Sequence, residues 1–310
     1  MAAIGSSRHT SQRPSSTAGG VRSRDERPLQ TVSMRPTLSL DGDAMTTPME
    51  IPTLPVARMR AMSLVANPDP AYDDLAKMVD ADPALTAALL RAANSAISAP
   101  RDRVKTAHVA MVRVGVKEAR RIIMGVALSS SFQGLHRSGV DESELWRHLI
   151  ASAVLADTIA WGELRHGEAF TAGLLHDVGR LVLAAGEPVR YAQVVDLARS
   201  GVPAVEAEVS VFGVDHIEWG YRLAQEWGFP EEIADAIADH HAGSQRGISW
   251  AIARAREVAA GLGIGDGLVE ACAPDPDSEA AMLPVIDDLG GPAVVLQRVG
   301  WYQGAMAAAA

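Results

Sequence analysis

The sequence predicts an all-α protein: a compact multi-helix bundle, preceded by a disordered N-terminal tail and followed by a helical C-terminal extension. Three observations carry that expectation. Ala, Leu and Val dominate, while aromatic residues make up only 5% of the chain, a mix that favours helices over sheets. Helix-start signals recur along the chain. No alternating apolar–polar run of useful length marks a strand, and no repeat at a fixed period is present.

In order, residues 1–44 are rich in Ser, Arg, Thr, Gly and Pro without an apolar period, the signature of a disordered tail. Ordered structure is expected from Ile51-Pro52-Thr53-Leu54-Pro55, where two prolines hold the chain extended. Asp82-Pro83 reads as an N-cap followed by proline at the first helical position. The helix after it puts Leu85, Leu89 and Ala92 on one face and ends near Asn94-Ser95. Asp141 caps the next strong helix, with Glu144 three residues on as in a capping box. Asp215 opens another. Gly228 and Pro230 punctuate the joint before a further helix, whose first turn holds Glu231-Glu232, where negative charge suits the helix dipole. These elements assign residues 45–247 to one domain. Residues 248–310 form the extension: a helix over 248–261, a loop at Ala273-Pro274-Asp275-Pro276-Asp277, and two weaker helical segments.

Composition excludes several classes of function. The formal charge is −10; residues 1–44 contribute six Arg against four acids, so the remainder carries −12. An acidic body lacks the basic footprint of broad nucleic-acid binding. No stretch reaches the 18 or so apolar residues of a membrane span, and the N-terminus lacks the apolar run of a secretion signal. The single cysteine, Cys272, excludes an internal disulfide and fits a reducing, cytoplasmic setting.

The chemistry is concentrated in histidine. Five of the nine histidines fall in short clusters: His148, His176 beside Asp177 in GLLHDVGRLVL, His216, and the pair His240-His241. On helical spacing, His148 shares a face with Leu145, Ser152 and Leu155, and His216 with Trp219, Gly220, Leu223 and Trp227. His240 lies with Ile233, Ala236 and Ile237, and His241 with Ala234, Ile237 and Ala238. All four therefore point at or near the interior. A buried imidazole without a partner costs roughly 1–3 kcal/mol, so convergence on one centre with Asp177 is an economical arrangement, and Gly220 would allow close backbone approach there. Imidazole plus carboxylate is the donor set of Fe, Mn, Zn or Ni. No P-loop, dinucleotide-binding glycine motif or nucleophile elbow accompanies it.

Residues 48–245 resemble the HDOD domain, the HD-related output domain of bacterial signalling proteins. The matching text is Ile51-Pro52-Thr53-Leu54-Pro55, Asp82-Pro83-Ala84-Leu85-Thr86, Leu89 to Ser95, the apolar run Val109 to Gly115, Leu145-Trp146-Arg147-His148, Ala172 to Arg180, Val214-Asp215-His216, and Trp227-Gly228-Phe229-Pro230 running to His240-His241. The resemblance implies a compact all-α fold related to the metal-dependent HD phosphohydrolases, including the HD-GYP enzymes. It implies His148, His176 and Asp177 as first metal ligands and His216, His240 and His241 as further ones, for Fe, Mn or Zn. If the chain were an enzyme, His176 and Asp177 would be its catalytic positions.

Two departures from the catalytic pattern matter. His176-Asp177-Val178-Gly179-Arg180 has Arg where the enzymes have Lys. The best-aligned late segment, Ala255-Arg256-Glu257-Val258-Ala259, puts Arg256 at the place of a ligand Asp. Glu257 is about 100° further round the helix and cannot replace it. The Gly-Tyr-Pro segment of HD-GYP enzymes is also missing after His241. The resemblance thus implies a regulatory, non-catalytic module that acts through signalling proteins, with a metal or a nucleotide in its His/Asp cleft. A metal-dependent phosphohydrolase acting on nucleotides or cyclic dinucleotides is the rival.

Overall fold

A computed structural model describes residues 72–98, 102–160, 167–243, 246–269 and 284–307. The expected tail 1–44, the opening Ile51 to Pro55, Cys272 and the loop Ala273 to Asp277 lie outside these residues. Among the described residues the chain is all helical, with no strand.

Four helices form the N-terminal layer: α1 (Tyr72–Ala81), α2 (Pro83–Asn94), α3 (Ala107–Val114) and α4 (Val116–Ser129). The Asp82 side chain accepts from the Ala84 amide at 2.8 Å with Pro83 in the first turn, and Leu85, Leu89 and Ala92 are buried. After a 3-10 turn at Leu135–Ser138 comes the long α5 (Glu142–Ile159), followed by α6 (Glu168–Leu175), α7 (Val178–Gly186), α8 (Pro188–Arg199), α9 (Ala204–Phe212), α10 (His216–Glu226) and α11 (Glu231–Asp239). The last two long helices are α12 (Gly247–Gly261) and α13 (Pro292–Met306).

Helix α5 is the hub. It packs against α6, α12 and α13, while α10 packs against α7 and α11. Asp141 caps α5 through the Glu144 amide at 3.0 Å. The capping box does not close, because Glu144 accepts instead from the Gly265 amide at 2.8 Å, and the Asp141 amide donates to the Gly267 carbonyl. That exchange ties the glycine-rich loop after α12 to the start of α5. Asp215 caps α10 as expected, accepting from the Glu218 amide at 2.9 Å.

Helix α13 is fixed to the bundle by a polar cluster. Arg121 pairs with Asp157 and Glu118, Tyr302 donates to Glu118, and the Arg121 guanidinium stacks 4.4 Å from the Phe170 ring centre. Arg91 donates to the carbonyls of Gly304 and Ala305, the last turn of α13, which satisfies acceptors a helix end leaves open.

The crossing of α7 and α10 brings the two halves of the site together. A Cβ on Gly179 would stand 1.9 Å from the His216 carbonyl oxygen and 2.6 Å from the Gly220 nitrogen. Only a glycine permits that approach. Gly220 contributes from the other side, as its place on the His216 face suggested.

Candidate metal centre

Four elements deliver the donors. His148 lies mid-way along α5. His176 and Asp177 occupy the break between α6 and α7, His216 is the first residue of α10, and His240 and His241 follow the end of α11. His176, Asp177 and His216 have no exposed surface, His240 has 1% and His148 4%. His241 departs from its expected interior position. Helix α11 stops at Asp239, and the turn beyond it leaves His241 exposed. Its ring still stacks 4.4 Å from that of His240 and 5.3 Å from that of His216.

The five imidazoles converge on the Asp177 carboxylate in two overlapping donor sets: Asp177 with His216, His240 and His241, and Asp177 with His148 and His176. His216 Nε2 lies 3.2 Å and His240 Nε2 3.3 Å from Asp177 Oδ1. His176 Nε2 lies 3.4 Å and His148 Nε2 3.9 Å from Oδ2. Donors held about 2.0–2.2 Å from one ion stand about 3.0–3.5 Å from each other, so most of these separations match the edges of a coordination polyhedron.

The outer ring nitrogens settle which lone pairs face inward. His176 Nδ1 meets the Gly173 carbonyl at 2.7 Å and His240 Nδ1 meets the Ile237 carbonyl at 2.6 Å. His216 Nδ1 meets Glu208 Oε2 at 2.5 Å. Carbonyls and carboxylates only accept, so each Nδ1 carries the proton and each Nε2 turns a lone pair toward Asp177. This is the arrangement that orients metal-binding imidazoles. Both Asp177 oxygens and the Nε2 atoms of His216 and His240 are buried without hydrogen-bond partners. Lone pairs and a carboxylate facing one another in a dry interior need a cation between them. The residues therefore fit a metal.

Glu208, on α9, belongs to no histidine cluster, yet it is fully buried and accepts from the His216 amide, from His216 Nδ1 and from the Tyr191 hydroxyl at 2.8 Å. Arg180 is 1% exposed and places Nη1 3.1 Å from Asp177 Oδ2 and 3.3 Å from Asp266 Oδ2. Asp266, in the glycine-rich loop after α12, also escapes the sequence motifs. Arg256, on α12, is close enough to act electrostatically on His148, His176, His240 and His241.

Burial pushes His148 down to about 4, against the pull of Asp177, and lowers His176 and His240 as well. His216 moves the other way: burial opposes its proton, but Asp177 and Glu208 together outweigh it. Asp177 is buried, which favours its acid form, yet Arg180 and the neighbouring imidazoles hold it well below the usual carboxylate range. The lowered imidazoles and the ionised carboxylate are in the protonation states that bind metal, whereas His216 must release its Nε2 proton to join them.

Residues 51–243 match the HDOD domain family. The chain belongs to the HDOD family. An HDOD domain protein of unknown function from Geobacter sulfurreducens is 27% identical, with a TM-score of 0.63 over 84% of this chain and 92% of that one. A structure from Marinobacter aquaeolei VT8, provisionally named a signal transduction protein, is 24% identical, with a TM-score of 0.63 over 81% of this chain and 60% of that one. One from Shewanella amazonensis SB2B, provisionally named a metal-dependent phosphohydrolase, is 19% identical, with a TM-score of 0.53 over 83% of this chain and 92% of that one. The latter two likenesses show the HDOD fold alone. An uncharacterized Treponema pallidum protein is 25% identical over 196 residues, 62% of this chain but only 38% of its own length. No helix among the described residues is long and apolar enough to cross a membrane.

Proposed function

We propose that this HDOD protein is a regulatory signalling module whose His/Asp centre binds Fe, Mn or Zn without turning over a phosphoester, and whose output passes to protein partners in the cytoplasm. The observation that carries the reading is the pair of arginines built into the centre. Arg180 spends its charge on Asp177, Asp266 and Glu208, and Arg256 acts electrostatically on the imidazoles from a segment that, by resemblance, carries a carboxylate in the related enzymes. An arginine there removes an oxygen donor and adds a positive charge beside the ion, which weakens metal binding and leaves the metal short of the ligand set used for hydrolysis. Bound metal on this reading organises the junction of α5, α7, α10 and α11.

The six donors favour a second reading, a metal-dependent phosphohydrolase. In that case the metal would supply an activated water, and the residues here would hold the ion and fix its ligands. Turnover separates the two. A panel of cyclic and linear nucleotides incubated with the protein and added Mn or Fe should show no metal-dependent hydrolysis. Hydrolysis by the native chain that disappears in His176→Ala would establish the enzyme.

A further inference from the structure

Arg180 joins the buried centre to the surface of the molecule. One nitrogen of its guanidinium, Nη1, lies 3.1 Å from Asp177 Oδ2 on one side and 3.3 Å from Asp266 Oδ2 on the other. Glu208 stands farther off, 3.8 Å from Nε. Exposure rises along the series: Asp177 has no exposed surface, Arg180 has 1%, and the Asp266 side chain has 23%. A change of charge at Asp177 therefore has a short route outward, through one guanidinium to one carboxylate.

Asp266 also shapes its own loop, Gly263–Val269. Its Oδ1 accepts from the Leu268 amide at 3.0 Å and the Val269 amide at 3.2 Å. On either side of it the loop is pinned to the start of α5, by the Gly265 amide donating to Glu144 and the Gly267 carbonyl accepting from the Asp141 amide, each at 2.8 Å. Ile264 and Leu268 are buried, whereas Gly263 and Val269 are exposed. With Asp141, Glu144 and Arg199, the loop lines an open surface hollow of about 800 Å³. One carboxylate thus holds both the inner guanidinium and the backbone of a segment that a partner protein can reach.

We propose that Arg180 and Asp266 form a charge relay that transmits metal occupancy to the loop Gly263–Val269, the surface at which the state of the centre is read. The inference rests on the metal reading above and names the route by which its output leaves. A cation at the centre and Arg180 compete for the Asp177 carboxylate. As the cation takes it, the guanidinium is repelled and shifts its charge to Asp266, in a buried setting where such forces are strong. The tightened pair holds Asp266, and with it the Leu268 and Val269 amides. The coupling is reciprocal: withdrawing Asp266 returns the full charge of Arg180 to Asp177 and weakens metal binding.

The test is hydrogen exchange of the full chain by mass spectrometry, followed over residues 262–269 with and without Mn(II), beside Mn(II) titration, for the native protein, Asp266→Asn and Asp266→Glu. In the native protein Mn(II) should slow exchange of the loop by about threefold or more. Asp266→Asn should bind Mn(II) about tenfold more weakly, and its loop should not respond even when saturated. Asp266→Glu keeps the charge and should keep the response. General stabilisation by bound metal would slow the loop equally in Asp266→Asn, so a response that survives in that variant overturns the relay. A native loop that Mn(II) binding leaves unchanged, or native affinity in Asp266→Asn, overturns it too and leaves the metal reading standing. If Asp266→Asn does not fold, the native chain and Asp266→Glu still decide, since loss of the response in Asp266→Glu alone contradicts a relay carried by charge. Failure of the native chain to bind Mn(II) overturns both readings.

Discussion

The closest backbone approach in the site can be tested by a single methyl group. In Gly179→Ala the new Cβ would sit 1.9 Å from the His216 carbonyl oxygen, 2.8 Å from its carbon and 2.6 Å from the Gly220 nitrogen. Comfortable contact needs about 3.5 Å, so α7 and α10 must separate by roughly 1.5 Å. All three atoms are backbone, and no side chain can rotate away. Overpacking costs about 1–3 kcal/mol when side chains yield; here we expect about 4 kcal/mol, a large part of a stability of about 5–15 kcal/mol. For a chain of this size that is a fall in Tm of about 10 °C. The shift also opens the 3.2 Å gap between His216 Nε2 and Asp177 Oδ1, so metal affinity should fall with stability. Urea and thermal unfolding measure the first effect and metal titration the second. Gly300 on α13 is the control, because nothing lies within 4 Å of its added Cβ; Gly300→Ala should gain about 0.5–1 kcal/mol. Gly179→Ala within 1 kcal/mol of the native protein would refute the helix crossing described here.

Glu208→Gln should lower metal affinity about 10–100-fold by loosening His216, measured by competition with a chromophoric chelator; unchanged affinity would deny Glu208 that orienting role. Arg256→Asp should tighten metal binding, because a positive charge is exchanged for an oxygen donor, and weaker binding would contradict the placement of Arg256 against the centre. Metal-free protein should lose stability as pH falls from about 6.5 toward 4. In the unfolded chain the imidazoles protonate near 6.5, while His148 in the fold does so only at about 4, with His176 and His240 also lowered; the unfolded state therefore binds more protons across that window. The raised His216 works in the opposite direction but is one group against four, since His241 is lowered too. A Tm that stays flat or rises across this range would show that these rings are not buried neutral.

The all-helical class and several helix starts were legible because their signals are local. Asp82-Pro83, Asp141 and Asp215 each cap a helix whatever the tertiary context. The six donors were legible because histidine and aspartate are rare in apolar helix faces, and because their motifs match a known family. Glu208 was not. Within AVEAEVSVF it reads as one of two acids on a short helix, and only the hydrogen bonds across the turn between α9 and α10 show that it meets His216. Asp266 is hidden for the same reason, lying 86 residues from the Arg180 it pairs with. The Arg121, Glu118, Asp157 and Tyr302 cluster joins three distant helices, so no window of sequence contains it. His241 was read as facing inward because the helical spacing was continued past Asp239, where the helix stops. The closed capping box failed similarly, since Gly265 competes for the Glu144 carboxylate from far along the chain.

The central claim is that six converging side chains form a metal centre. Its most direct test is the metal content of untagged protein, by plasma mass spectrometry, after incubation with Fe, Mn or Zn and removal of excess ion, beside the double variant His176→Ala with Asp177→Ala. The account predicts bound Fe, Mn or Zn in the native protein, up to about one ion per chain, and none in the variant. Native protein that stays metal-free with every ion would contradict it, and would leave the buried imidazoles to be satisfied by protons and hydrogen bonds alone.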